Sequence, residues 1–159
     1  MGTTGNSLSG RNAGEGLMGS RGLIGIGVAM LAAIVGAQTP VGWQEGSPLN
    51  AYFDPDRVYV FTARVIGVEV SVPRPKVSAG VTLLVRLGDG KSAVVDLGPQ
   101  TYLEERGIRP RIGEIFEFAG SCVFENGSYG YVASRMARGN LRVTLRTPVG
   151  KPLWVSSSD

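Results

Sequence analysis

From Arg57 to Arg146 the chain is cut by glycine and proline into short, alternating, β-branched runs, and this punctuation leaves room for only one short helix. Arg57 to Val70 is the longest run, with Val58, Val60, Ile66, Val68 and Val70 of one parity, and Gly67 within it predicts a bulge or bend. Pro73 and Pro75 keep the stretch from Val72 to Gly80 out of any sheet. Val81 to Leu87 alternates with Val81, Leu83, Val85 and Leu87 facing one way, and Gly88-Asp89-Gly90 turns it into a returning strand over Ser92 to Leu97. Gln100 to Arg106 is the helical stretch, with Pro99 in its first turn and Gly107 at its end. Glu114 to Val123 and Ser128 to Ser134 pair around the turn dipeptide Asn126-Gly127. In Leu141 to Arg146 the pattern sets Leu141, Val143 and Leu145 inward and Arg142, Thr144 and Arg146 outward.

Three strands, a helix and two more strands is the order of an all-β, mainly antiparallel Greek-key barrel of the oligonucleotide/oligosaccharide-binding (OB) type, spanning residues 57–154 with a tail at 155–159. The last strand would cap or extend it. A β-sandwich is the alternative, and the helix between the third and fourth strands favours the barrel. Ahead of the barrel, residues 1–16 are rich in Gly, Ser, Thr and Asn and read as a disordered leader. Residues 17–37 carry one charge, Arg21, before an uncharged apolar stretch, and read as a transmembrane anchor or as a signal peptide cleaved after Ala37. A buried soluble helix is the third reading, but the stretch is apolar on every face, more than so small a domain can cover. Either membrane reading keeps Arg11 and Arg21 cytoplasmic and the remainder across the membrane. Residues 38–56, with Pro40, Gly42, Gly46, Pro48 and Pro55, read as a linker.

The chain has no histidine and a single cysteine, Cys122. That excludes Ser-His-Asp and Cys-His catalysis, histidine-ligated zinc or haem, CxxC redox motifs and internal disulfides. No pair of carboxylates has a distinguishing context, so the chain reads as a non-enzyme without cofactor or metal site. Asp54-Pro55-Asp56 is the opening of a turn before it is a cation site, and Glu104-Glu105 lacks converging ligands. Cys122 reads as a small buried hydrophobe that would form an intermolecular disulfide only if exposed. Tyr102 and Leu103 are expected to plug one end of the barrel and Trp154 to pack the tail against its outside.

Two groups are candidates for partner binding. Arg135, Arg138, Arg142 and Arg146, with Arg109 and Arg111 and the neighbouring Arg106, offer guanidinium forks to phosphate or carboxylate; the structural alternative is an edge strand guarded by charge. Among the strand aromatics, Phe116, Phe118 and Phe124 share a parity that a small barrel needs inside, leaving Tyr129 and Tyr131 as the exposed candidates.

The stretch Asp96-Leu-Gly-Pro-Gln-Thr-Tyr-Leu-Glu104, then Arg109-Pro-Arg-Ile-Gly-Glu114 and Gly120-Ser121, resembles the core of small bacterial envelope proteins with an OB-like fold, and Pro73-Arg-Pro75 and Gly150-Lys-Pro-Leu-Trp154 fit the same pattern. With one N-terminal membrane segment, the layout is similar to the magnetosome membrane protein MamS family, associated with maturation of magnetite crystals. The resemblance implies a membrane-anchored accessory protein in the inner or magnetosome membrane. Its domain would lie in the periplasm or organelle lumen and bind other membrane or envelope proteins, a mineral surface or an anionic ligand. A secreted envelope protein binding an anionic ligand, and a single-stranded nucleic-acid binder, are the competing readings; export separates the domain from cytoplasmic nucleic acid. Membrane fractionation with protease protection and intact mass tests this. A full-length, membrane-bound chain with its domain on the far side is expected, and a soluble cytoplasmic chain overturns it.

Overall fold

The computed structural model of the chain describes residues 40–125 and 127–155. The expected leader, the membrane segment at 17–37, Asn126 of the hairpin turn and the last tail residues lie outside the described residues.

Among the described residues the strands are β1 (Val58–Ser71), β2 (Gly80–Leu87), β3 (Ser92–Pro99), β4 (Ile115–Glu125), β5 (Ser128–Arg138) and β6 (Leu141–Thr144), with one α-helix, α1 (Gln100–Glu105), between β3 and β4. A single turn of 3-10 helix, Pro55–Arg57, leads into β1; Asp54 caps it by accepting a hydrogen bond from the Asp56 backbone N–H at 2.9 Å, so the turn reading of Asp54-Pro55-Asp56 holds. β1 is long enough to serve two partners. Its first half pairs with β4, from Val58↔Ser121 to Arg64↔Ile115, and its second half with β2, from Ala63↔Leu87 to Ser71↔Gly80.

The ladder slips between Val65 and Gly67, where the glycine signal predicts a bulge. One extra residue exchanges the two faces of the strand. Ala63 and Val65 point inward opposite Leu87 and Val85 before it, and Val68 and Val70 lie opposite Leu83 and Val81 after it. By register the valines of one sequence parity therefore do not share a face, although Val58 and Val60 in the first half and Val68 and Val70 in the second are all exposed.

β3 returns antiparallel on β2, and a short parallel pairing of Val94–Asp96 with Gly130–Val132 of β5 closes the ring β1-β2-β3-β5-β4. The result is a closed five-stranded mixed barrel, not a sandwich. Leu83, Val85, Val95, Leu97, Phe118 and Met136 fill it. Tyr102 and Leu103 of α1 are buried against that core, as expected of a plug, while Pro99 stands at the N-cap instead of within the first turn. β6 pairs with Arg135–Arg138, the part of β5's edge beyond the reach of β3.

The segment expected to be a linker contributes to the core. Trp43 is buried, its indole N–H donates to the Ser78 carbonyl at 2.8 Å, and its own carbonyl accepts the Trp154 indole N–H at 2.7 Å. The two rings meet edge to face at 6.1 Å. Trp43 covers Gly80 and Trp154 covers Gly98, where an added Cβ would stand 2.5 and 2.7 Å from ring carbons. No other residue type leaves room there. Both ends of the described chain are thus clasped to the β2–β3 flank, and Trp154 is itself buried. Trp154→Ala empties this joint and is expected to cost about 3–5 kcal/mol, read as a lowered urea midpoint.

Candidate functional site

Of the sequence-nominated arginines, Arg146 departs furthest from expectation. Its alternation pointed it to solvent, yet it is 1% exposed. β6 ends at Thr144, and the chain beyond doubles back so that Arg146 bridges to Pro152 and its guanidinium lies 4.7 Å from the Trp154 ring centre. One guanidinium N–H donates to the Ala133 carbonyl; Nε and Nη2 are buried without a partner. Burial pulls the Arg146 pKa down to about 10, opposed by the charge of Asp96. Burial pushes the Asp96 carboxyl up, opposed by Arg146 and by the Gly98 N–H that donates to it at 3.0 Å. Arg146 is an internal cation, not a surface contact.

The remaining arginines do not form one edge either. Arg138 pairs with Glu114 and lies 5.2 Å over the Phe116 ring, and Arg135 stands 3.9 Å from Glu117. Such exposed pairs contribute little stability, but they occupy the charges. The Glu114 carboxyl is held low, first by the Arg111 backbone N–H at 2.9 Å and then by Arg138. Arg109 and Arg111 are exposed in the loop between α1 and β4. Arg142, exposed on β6, shares a groove of about 440 Å³ with Arg106, whose guanidinium sits 3.5 Å from the Tyr102 ring centre. No sequence signal joins these two, because α1 and β6 meet only once the barrel is closed.

The aromatics gather at the opposite rim. Phe124, expected inside, is 59% exposed and packs with its ring centre 4.8 Å from that of Tyr129, tilted by 52°; Tyr129 is 61% exposed. Its parity is inward, but β1 stops pairing with β4 at Ser121, so the hairpin projects beyond the barrel and no wall covers it. Tyr129 is therefore exposed as expected. Tyr131 is half-buried, 4.3 Å from Phe61, and burial raises its hydroxyl pKa. Two grooves flank the hairpin. One, of about 330 Å³, runs over Val94, Asp96, Val123 and Val132 beside Tyr52; the other, of about 380 Å³, includes Tyr59, Asp89, Lys91 and Cys122. Cys122 is buried, as expected of a small hydrophobe. Glu104 accepts a hydrogen bond from Gln100, and no group of three or more acidic or cysteine ligands converges among the described residues.

A helix-plugged, five-stranded barrel whose protruding hairpin and grooves lie outside its core is a small all-β domain with its surface features on loops and rims. The model of the MamS/MamX magnetosome protein family matches residues 57–155, the entire barrel and the C-terminal half of the tryptophan clasp, and the chain belongs to that family. It is accordingly a magnetosome-associated protein. No curated protein and no solved structure matches it.

The buried Arg146 and the half-buried Asp96 generate a coupled prediction. Arg146→Met orphans the Ala133 carbonyl and removes the charge that opposes the upward shift of Asp96, with an expected loss of about 1–3 kcal/mol at neutral pH. A carboxyl whose folded pKa is raised stabilises the fold while protonated and loses that contribution as pH rises through the folded pKa. The loss in Arg146→Met should therefore shrink as pH falls from neutral toward the carboxylate range. Adding Asp96→Asn should restore part of it at neutral pH, as read by urea denaturation.

Proposed function

We propose that the chain is a membrane-anchored, non-enzymatic accessory protein of the magnetosome, held by residues 17–37, whose barrel binds other proteins of that membrane in the maturation of magnetite crystals. The barrel is of the OB type: the ring order with a parallel β3–β5 closure and a helix between β3 and β4 support that assignment. The observation that carries the binding role is the β4–β5 hairpin. Phe124 and Tyr129 pack against each other outside the core, between two grooves and near exposed Tyr52 and Tyr59. Contiguous exposed aromatics of this kind mark interaction sites, because the area they leave in water is regained only on a partner.

The nucleic-acid reading fares worse on charge. A single-strand groove needs cations along the phosphate track, whereas the grooves beside this hairpin contain Lys91 together with Asp89 and Asp96. Arg135, Arg138, Arg142, Arg109 and Arg111 lie elsewhere, on the second half of β5, on β6 and in the loop after α1.

The double substitution Phe124→Ser with Tyr129→Ser tests the reading. The expected outcome is an unchanged circular dichroism spectrum and urea midpoint, loss of co-purifying membrane proteins after crosslinking, and smaller or misshapen crystals in cells. Normal partners and crystals in the folded variant overturn it.

A further inference from the structure

Five of the eleven arginines among the described residues are spent on neighbours. Arg135 and Arg138 face carboxylates, Arg146 is buried, and Arg64 and Arg86 donate to backbone carbonyls at 3.0 and 3.1 Å. Of the six that make no salt bridge or side-chain hydrogen bond among the described residues, Arg106 and Arg142 are the two that line one groove together. Tyr102, Leu141, Val143, Thr144 and Leu153 complete it, and no acidic side chain lines it.

Like charges brought to a shared concavity repel, so an unneutralised pair is a standing attraction for an anion. The first guanidinium is pre-oriented: Arg106 stacks on the Tyr102 ring, and Tyr102 is itself fixed by burial and by its hydroxyl donating to the Thr144 carbonyl at 3.3 Å. Pre-orientation removes much of the ordering cost that a free arginine would meet on binding. Arg142 projects from β6 opposite Ala137, two positions before Thr144 on the same strand. Leu141 and Leu153 supply apolar wall beside these charges.

We infer that this groove is a binding site for an oxyanion carried on an apolar body, an aryl or alkyl phosphate monoester or carboxylate. The oxygens face Arg106 and Arg142, and the apolar part rests on Leu141 and Leu153. Planar guanidinium forks match the oxygen spacing of both groups, and a groove of about 440 Å³ accommodates a compact ligand of that kind. The site is independent of the aromatic hairpin, so it stands or falls apart from the protein-partner reading above.

The test is titration of the full-length chain with phenyl phosphate, and in parallel with benzoate, followed by calorimetry and amide NMR. Saturable binding of either probe that shifts the Tyr102, Thr144 and Leu153 amides is expected. Arg106→Gln and Arg142→Gln should each weaken it by ~tenfold or more, with unchanged circular dichroism. Arg135→Gln, which removes the same charge outside the groove, should leave affinity within ~twofold, as expected for an exposed and screened site. Absence of saturable binding of both probes at millimolar concentration overturns the proposal. So does an equal loss in Arg135→Gln, which would make the attraction a diffuse property of net charge.

Discussion

The barrel depends on how one strand edge is shared. β5 offers the same edge first to β3, over Gly130–Val132, and then to β6, over Arg135–Arg138. Between those stretches the carbonyls of Ala133 and Ser134 face neither strand. Buried carbonyls left unpaired cost about 1–3 kcal/mol each, and Arg146, together with the Leu145 backbone, satisfies both. Its backbone N–H and that of Leu145 donate to Ser134 at 3.1 and 2.7 Å, and its guanidinium donates to Ala133. The cation is then covered by Trp154, and Trp154 by Trp43, so the junction recruits both ends of the described chain.

That arrangement divides the molecule into a constrained flank and a free rim. The clasp lies over Gly80 and Gly98, with α1 and Tyr102 beside it; Tyr102 contacts Trp154 at 5.5 Å. At the other rim the β4–β5 hairpin outruns β1 and carries its aromatic pair into solvent. The apolar surface and the unpaired arginines are therefore separate features. One suits a protein surface and the other a compact anion, and the two readings rest on different residues.

Much of this was legible in the strand pattern. Alternation placed β2, β3 and β5 within a few residues, Gly67 announced the bulge, and the helix between β3 and β4 was read from Pro99 and Gly107. Tyr129 was recognisable as an exposed aromatic. The misplacements have local causes. Phe124 followed an inward parity past the point where the barrel wall ends, and the bulge at Gly67 split one set of valines across two faces. Trp43 sat in a stretch without periodicity, and a single residue held by long-range contacts to Ser78, Gly80 and Trp154 leaves no periodic trace.

Alternation, turn dipeptides and helix punctuation are local properties, and they determined the elements, their order and the single-core character of residues 57–154. The family membership follows from that same span. Only the tertiary structure decided which charges are free. Arg146 and Arg142 belong to one alternating run and look alike in sequence, but the returning tail buries the first beneath Trp154 and leaves the second beside Arg106. Burial of a charge depends on segments far apart in the chain that meet only on closure, and no pattern confined to one strand carries that information.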